Sequence, residues 1–297
     1  MTRPRISVII VSDYVPAGAK DWADERACAA AFARQDLAEP CEIVVVASHA
    51  DVAGAAPPLP GARLLLLPSR RSTELRDQAL AHTRGELVAV IEADCLPADD
   101  WLRLTVAALE RSPACQAVSG RTVYDQGGSL MRLRALLDRG YVETGQAGPA
   151  RHVCSNGALH RRGFLQRFPF PADPNPFVAT WRRNQAILAA GERIEVEPAA
   201  ILRHAYGGPG FERDLRRNVG FRDALDWGRG GGPGAVLRVW RQRNRLERAD
   251  LRRLGRQRLR WWDWPLVPGL MLSRRLAELP GIRAGLRGEP LKETGYR

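Results

Sequence analysis

The stretch Glu86-Leu-Val-Ala-Val-Ile-Glu-Ala-Asp-Cys-Leu-Pro-Ala-Asp-Asp-Trp-Leu102 decides the fold. Its apolar run from Leu87 to Ile91 is typical of a strand that is buried in a parallel sheet. The run ends in two carboxylates, which a proline turn and a helix opening around 99–102 follow. Because residues i and i+2 of an extended chain point the same way, Glu92 and Asp94 face one side at the carboxyl end of the strand. Open α/β sheets bind their ligands there.

This acidic turn has two interpretations. Hard carboxylate oxygens are the ligands that Mg²⁺ and Mn²⁺ prefer, and these ions neutralise the phosphates of a nucleotide. Alternatively, the turn only starts a helix, with Asp99 as the residue that caps it. The local sequence favours neither interpretation, so the surrounding pattern has to decide between them.

Strands and helices alternate at short spacing along the N-terminal part of the chain. Strands are predicted at 5–11, 42–46 and 63–67, and helices at about 22–37 and 72–83. This alternation is typical of a parallel, doubly wound sheet, for which right-handed crossovers leave few topologies. The predicted fold class is therefore α/β with a Rossmann-like, mostly parallel sheet.

Several short motifs, taken in order, resemble those of family 2 glycosyltransferases of the GT-A type. Leu75-Arg-Asp-Gln78 stands where the family has its Arg-Asn helix, and Glu92-Ala-Asp94 stands in the place of Asp-x-Asp. Cys154-Ser-Asn-Gly-Ala-Leu-His-Arg-Arg162 is similar to the family's acceptor-side segment. Pro198-Ala-Ala-Ile-Leu-Arg-His204 is similar to its Pro-x-Ala-x-x-x-His ending. The resemblance spans roughly residues 5–230.

The resemblance implies a GT-A domain that binds a nucleotide-diphospho-sugar together with Mg²⁺ or Mn²⁺. The residues that it implies for donor binding are Arg76, Asp77, Glu92 and Asp94. The metal would lie on Asp94 and Glu92, and His204 would complete its site. A histidine after an apolar strand is otherwise a packing or hydrogen-bonding group, and that alternative stays open. On the acceptor side, the resemblance implies Asn156 and Trp181.

Three positions depart from the family pattern. Val46-Ala-Ser48 stands where the family has an Asp pair that recognises the nucleotide base, which leaves Ser48 or Asp51 for that role. The first Asp of Asp-x-Asp is Glu92, which is longer by one methylene. Ala179-Thr180 occupies the place of a Glu-Asp pair that carries the general base. A threonine cannot accept a proton at neutral pH as a carboxylate does.

One acidic residue near that gap is a candidate for the missing base. Asp173 lies in the proline-rich segment Phe170-Pro-Ala-Asp-Pro-Asn-Pro-Phe177, which could hold its carboxylate near an acceptor hydroxyl. The alternative is that Asp173 only shapes a turn. We keep Asp173 as the candidate general base.

The length and composition indicate one large α/β domain with an appended segment. We expect a nucleotide-sugar-binding domain over 1–208 and a basic helical extension over 209–297. Five cysteines without CxxC pairing indicate reduced thiols and give no support for a structural zinc. The start Met1-Thr-Arg-Pro-Arg5 lacks a signal-peptide pattern, and no apolar run approaches the ~20 residues that a membrane span needs. A cytoplasmic location is therefore expected.

Arginine supplies nearly all of the formal net charge of +12. Between Arg238 and Arg260, ten arginines stand against two acidic residues, a local net charge of +8, with leucines and tryptophans at roughly helical spacing. An aromatic and apolar stretch follows over 261–272. Such a segment is typical of a helix in the interface of an anionic membrane. Nucleic-acid binding and a solvated helix packed on the domain are the alternatives.

The sequence therefore predicts a glycosyltransferase that is peripheral on the inner face of the membrane, attached through Arg238–Leu272. It would transfer a sugar, with inversion, to a glycan or lipid-linked acceptor of the cell envelope, and no nucleic-acid partner is expected. Two rivals stay open. One is a degenerate transferase-like binding protein, which the absent Glu-Asp pair favours. The other is a basic lipid- or nucleic-acid-binding protein, which the paired carboxylates argue against because without a metal they would repel phosphates.

Overall fold

The computed structural model describes residues 4–12, 14–15, 21–52, 58–228, 231–232, 234–291 and 295–296. The chain forms two compact units. One contains Met1–Val123 and Val142–Ala205, and the other contains Tyr124–Tyr141 and Tyr206–Tyr296. Residues 124–141 thus group with the C-terminal helices. The sequence-based division into 1–208 and 209–297 stays a prediction about domains.

The first unit contains a mixed sheet, to which the described residues contribute nine strands. Its parallel part has the order β3-β2-β1-β4 and is formed by β1 (Ile6–Val11), β2 (Cys41–Ser48), β3 (Arg63–Leu67) and β4 (Leu87–Glu92). Beyond β4 the order continues β8-β6-β9-β5, with β7 on β9. These strands are β5 (Cys95–Pro97), β6 (Ala117–Tyr124), β7 (Gly148–Ala150), β8 (Ala158–Arg161) and β9 (Ile194–His204). The α/β fold class is confirmed.

The helices, like the strands, follow in chain order. They are α1 (Ala23–Ala33), α2 (Ser72–Ala81), α3 (Trp101–Arg111), α4 (Ser129–Arg139), α5 (Arg162–Arg167), α6 (Pro176–Ala189), α7 (Gly208–Trp227), α8 (Ala235–Arg258) and α9 (Val267–Arg287). Short 3₁₀ helices occupy His49–Asp51 and Trp261–Leu266. Within the described residues, no helix combines the length and the apolarity that crossing a bilayer requires.

Both faces of the inner parallel strands β1 and β4 are buried, which explains their mostly apolar sequences. Ile6, Val8 and Ile10 of β1 pack with α1 and α3 on one face. Ile9 and Val11 pack with α2 on the other face. Successive side chains of a strand point to opposite faces, so a strand covered on both sides needs apolar residues at every position.

The end of α1 and the start of α3 differ from the sequence-based expectation. Helix α1 ends at Ala33 rather than near residue 37, and α3 begins after Asp100 rather than with Asp99 as its cap. Gln35 explains both differences. Its side chain donates to the backbone oxygen of Ala98 and accepts from the backbone N–H of Leu102. The residues after α1 therefore supply the hydrogen bond that a capping aspartate would have made.

Helices α7 and α9 of the second unit approach each other closely enough for their backbones to touch. A Cβ atom at Gly220 would lie 2.4 Å from the backbone oxygen of Glu278, and one at Gly281 would lie 1.9 Å from that of Arg217. No side chain fits at such distances. The two glycines therefore set the spacing between these helices.

A buried ion network joins the helices α4, α7, α8 and α9 of the second unit. Arg274 of α9 donates to Asp138 of α4 at 2.8 Å and to Glu247 of α8 at 3.1 Å, while Arg216 of α7 pairs with Asp138. Burial works to raise the pKa of Asp138, but the charges of Arg216 and Arg274 outweigh burial and hold this pKa well below its usual value. The carboxylate is therefore charged wherever the protein is folded at ordinary pH.

We expect Asp138→Asn to destabilise the protein by about 3–5 kcal/mol, because it removes the buried negative charge that Arg216 and Arg274 share. A depressed carboxyl pKa stabilises the fold above the unfolded value of about 3.9, and this stability is lost as pH falls toward the folded value. The variant should therefore lose less stability than the wild type between pH 5 and 3. Denaturant unfolding followed by circular dichroism measures both effects.

Glu289→Gln is the matched control for this variant. Glu289 pairs with Arg287 on the surface, where both side chains are more than half exposed. Such pairs contribute at most about 1 kcal/mol. Equal losses in the two variants would contradict a stabilising role for the network.

Candidate functional site

Backbone hydrogen bonds fix the acidic turn that follows β4. The Ala93 N–H donates to the Val11 oxygen at 3.0 Å, and the Ala205 N–H donates to the Asp94 oxygen at 2.8 Å. Glu92 is the last residue of β4, whereas Asp94 lies in the turn itself. The two carboxylates are thus positioned by the ends of β1 and β9 as well as by strand periodicity.

The antiparallel pairing of β5 with β9 brings His204 to these carboxylates. Cys95 and His204 are direct partners in the register. The His204 Nε2 lies 3.6 Å from an oxygen of Glu92 and 3.7 Å from an oxygen of Asp94. Its Nδ1 lies 2.6 Å from the backbone oxygen of Ala205. Because only a protonated Nδ1 can pair with a carbonyl oxygen, Nε2 is left as a metal-binding or proton-accepting atom.

Ligand atoms of Glu92, Asp94, Cys95 and His204 all lie within 4.8 Å of one another. Ligands at about 2.1 Å from a small divalent ion lie up to about 4.2 Å apart. The group is therefore close to the size of a single coordination shell. Two carboxylates and an imidazole suit Mg²⁺ or Mn²⁺, whereas the soft sulfur of Cys95 does not. The fit to these ions thus depends on Glu92, Asp94 and His204.

Cys95 is a neighbour of this site that the sequence motifs did not predict. The signal was present, because Cys95 directly follows Asp94 and starts the strand that pairs with the end of β9. The pairing of β5 with β9 could not be read from the local sequence. In the local sequence, Cys95 therefore resembles an ordinary buried apolar residue.

Arg76 provides positive charge on the other side of Glu92. Its Nη2 lies 3.2 Å from Glu92 Oε1, and both side chains are buried. The second oxygen, Oε2, is the one near His204. Glu92 therefore has one oxygen on a guanidinium group and one toward the candidate metal site.

Asn156 lies on the Cys95 side of the same group. Its Nδ2 lies 3.8 Å from the Cys95 sulfur, and its Oδ1 accepts from the Cys154 thiol at 2.6 Å. The next residue, Gly157, has φ +144°, and a Cβ atom there would lie 2.0 Å from a Leu202 methyl carbon. Only glycine fits there. The structure therefore brings Asn156 together with Arg76, Glu92, Asp94 and His204.

The other four predicted site residues make different contacts. Ser48 caps the short helix at His49–Asp51, because its hydroxyl accepts from the Ala50 N–H at 3.3 Å. Asp173 accepts from the Asn175 N–H at 2.9 Å and pairs with Arg182 at 2.9 Å. Trp181 is half-buried on α6. Ser48 and Asp173 thus have local structural roles, and their predicted functional roles stay predictions.

Asp77, the fourth of these residues, ties α2 to the proline-rich segment. It accepts from the Phe170 N–H at 2.7 Å. Burial raises the pKa of the Asp77 carboxyl to about 6, although the Phe170 N–H and the charges of Arg183 and Arg76 act in the opposite direction. The Phe170 ring also lies against both guanidinium groups, at 4.6 Å from Arg183 and 5.7 Å from Arg76.

Comparisons with known proteins confirm the family resemblance and the fold. Residues 26–168 match the model of glycosyl transferase family 2. No curated protein sequence matches the chain. A mannosyltransferase of Pyrobaculum calidifontis, solved in complex with GDP-Man and Mn²⁺, is 19% identical over 97% of this chain and 89% of its own, with a TM-score of 0.58. TarS 1–349 of S. aureus is 13% identical over 97% and 93% of the two chains, with a TM-score of 0.48.

We expect Asp77→Asn to stabilise the protein at pH 7.5. The raised carboxyl pKa means that ionising Asp77 in the folded state costs stability, and this cost grows as pH rises from about 4 to about 6. Asparagine carries no charge and keeps an oxygen for the Phe170 N–H. Melting temperatures at several pH values should show a gain of a few degrees at pH 7.5 that vanishes near pH 4.

Asp77→Ala is the control for the hydrogen bond. It removes the same charge but leaves the Phe170 N–H without this acceptor, which costs on the order of 1–3 kcal/mol if the group is buried. The alanine variant should melt below the asparagine variant at every pH. An asparagine variant less stable than the wild type at pH 7.5 would contradict the charge argument.

Proposed function

We propose that this chain, whose residues 26–168 match the model of glycosyl transferase family 2, transfers a sugar from a nucleotide-diphospho-sugar with the help of a divalent metal. The observation that carries this proposal is the convergence of Glu92, Asp94 and His204 at the carboxyl end of β4. Parallel α/β sheets bind ligands at that edge. A structural relative with the same fold contains GDP-Man and Mn²⁺, which supports the choice of donor class and metal.

The residues have separable roles in this proposal. Asp94 and His204 Nε2 would hold Mg²⁺ or Mn²⁺, together with the Oε2 of Glu92. A bound ion supplies positive charge that offsets the charge developing on the leaving diphosphate. Arg76 holds the other oxygen of Glu92, so it orients this carboxylate. Ser48 and Asp77 stay proposed donor-side residues, and Asn156 and Trp181 stay proposed acceptor-side residues.

The general base belongs to the proposal as well. An inverting transfer needs a group that removes the acceptor's hydroxyl proton, and Ala179-Thr180 offers none. Asp173 is our candidate. Its carboxylate lies 2.9 Å from the guanidinium group of Arg182.

We propose further that the protein is peripheral on the inner face of the membrane and that its acceptor is a glycan or lipid-linked sugar of the cell envelope. The arginines and tryptophans of Arg238–Leu272 support this location, since such residues are typical of interfacial segments. A degenerate, donor-binding relative and a basic lipid- or nucleic-acid-binding protein are the outcomes that the following tests would favour instead.

Binding of nucleotide sugars should require metal, and Asp94→Ala should abolish it. We expect one nucleotide sugar, out of a panel of GDP-Man, UDP-sugars and dTDP-sugars, to stabilise the wild-type protein against unfolding. This stabilisation should occur only when Mn²⁺ is present. Loss of a ligand carboxylate should lower Mn²⁺ affinity by at least about tenfold. Titration calorimetry with Mn²⁺ alone and then with the selected donor measures the two steps separately.

Glu92→Gln and Asp99→Ala complete this experiment. Glu92→Gln should weaken Mn²⁺ binding less than Asp94→Ala, because one amide oxygen remains that can face the candidate metal site. Asp99 is exposed, so Asp99→Ala should leave both affinities unchanged. Donor binding that persists in Asp94→Ala would remove the metal from the proposal, and no donor binding by the wild type would favour a basic binding protein.

Asp173→Asn should lower turnover by at least about 10²-fold with donor affinity nearly unchanged, because a carboxylate base contributes roughly 10²- to 10⁴-fold. Asparagine can still accept the Asn175 N–H, so the variant separates proton transfer from turn formation. Arg182→Gln keeps the carboxylate and serves as the control. Wild-type turnover in Asp173→Asn would clear this residue, and donor binding without any transfer by the wild type would favour a degenerate relative.

A further inference from the structure

Arginine is the most frequent residue on the solvent-facing side of α8. The exposed arginines of α8 and of the residue pair that follows it are Arg238, Arg241, Arg245, Arg248, Arg252, Arg253, Arg256 and Arg260. The two acidic residues of α8 do not balance them at the surface, because Glu247 is buried in the ion network and Asp250 is half-buried. This face therefore presents a continuous positive stripe.

Most of the regularly spaced leucines of this segment face protein. Leu251, Leu254 and Leu259 are buried against leucines of α4 and α9, whereas Leu237 and Leu246 of α8 are exposed. The sequence pattern predicts that such leucines form the apolar side of an interfacial helix, but the buried ones form part of the core of the second unit. A larger apolar surface lies in the segment that follows α8.

The following segment provides such a surface. Between residues 261 and 280, all four charged residues are buried, namely Asp263, Arg274, Arg275 and Glu278. What remains exposed there is uncharged: Trp261, Trp262, Trp264, Pro265, Leu266, Pro268, Gly269, Leu272, Ser273, Leu276 and Pro280. Trp261 is 80% exposed, and Leu272 and Leu276, one helical turn apart on α9, are 59% and 54% exposed. We call this set the apolar face.

An apolar face of this kind needs a partner. Large exposed apolar surfaces on a folded unit mark sites of protein or membrane interaction. Here the charged groups of α9 as far as Pro280 are turned inward, so this part of the helix displays leucine and proline where an ordinary surface helix displays lysine or glutamate. Tryptophans at its start are the residues enriched at the boundary between lipid and water.

We propose that the arginine stripe and the apolar face together dock the second unit on an anionic lipid bilayer, with the apolar face inserted among the lipid headgroups and upper acyl chains. Charge selects this occupant. A second copy of the chain would bring its own arginine stripe, which repels the first, whereas anionic lipid heads attract it. The proposal rests on the membrane location proposed above but not on sugar transfer.

Two forces with different salt dependence should hold the protein on the bilayer. Attraction between the arginines and anionic heads is screened by salt, whereas burial of tryptophan and leucine is not weakened by salt. Attachment should therefore begin through charge and retain a salt-resistant part. A nucleic-acid-binding surface would depend on salt throughout.

Co-sedimentation with lipid vesicles tests the proposal on the full chain. Vesicles of phosphatidylcholine alone are compared with vesicles that contain phosphatidylglycerol, at low and high salt. The wild type should bind the anionic vesicles, with a blue shift of tryptophan fluorescence. Trp261→Ser combined with Leu272→Ser and Leu276→Ser should lose the blue shift and the salt-resistant part of the binding. Circular dichroism checks that each variant is folded.

A second set of variants isolates the charge. Arg241→Gln, Arg245→Gln, Arg248→Gln and Arg252→Gln together should weaken binding at low salt, on the order of fivefold for each arginine that lies at the surface of the bilayer. The matched control removes four exposed arginines elsewhere, by Arg34→Gln, Arg70→Gln, Arg151→Gln and Arg213→Gln. The control should bind nearly as the wild type does.

Three outcomes would overturn the proposal. They are equal binding by the stripe variant and its control, unchanged binding by the apolar-face variant, and sedimentation of the wild type as a dimer that the apolar-face variant breaks. Donor binding measured on the same preparations keeps this result separate from the proposed function. If the protein binds donor but not vesicles, only the proposed docking surface is contradicted. If it binds vesicles but not donor, only the proposed transferase function is contradicted.

Discussion

The candidate site depends on the antiparallel pairing of β5 with β9. Residues 95–97 form only three pairs with β9, yet this register sets His204 opposite Cys95 and thereby beside the two carboxylates at the end of β4. A shift by one residue would turn the imidazole to the opposite face of the sheet. The metal-binding geometry is therefore a property of sheet register more than of the Glu-x-Asp motif by itself.

Glu92 and Asp94 also illustrate how a sheet can hold two carboxylates close together. Like charges in a partly buried site repel, and each loses solvation there. Arg76 offsets part of the negative charge on one side of Glu92. His204 Nε2 lies on the other side, where a divalent ion would offset the remaining negative charge. Because Glu92 is one methylene longer than aspartate, it can reach Arg76 and His204 with different oxygens.

The parallel half of the sheet could be predicted from sequence because each of its strands contains a short apolar run, and the inner strands are covered on both faces. β3 was predicted with its observed bounds, and β4 to within one residue. The neighbourhood of Cys95 and Asn156 could not be predicted in the same way, since it results from pairing between distant segments. The leucines of α8 show a related limit. Periodicity identifies the apolar side of a helix, but it does not say whether protein or lipid covers that side.

The glycine contacts between α7 and α9 bear on how the apolar face is displayed. Where backbone touches backbone, as at Gly220 and Gly281, the two helices have no side-chain layer that could repack and let one slide along the other. Leu272 and Leu276 thus lie on a helix whose position is already fixed on its opposite side. A preorganised surface has little conformational entropy left to lose on association. Two residues without side chains, one on each of the facing helices, therefore help to determine how tightly the outer side of α9 can bind.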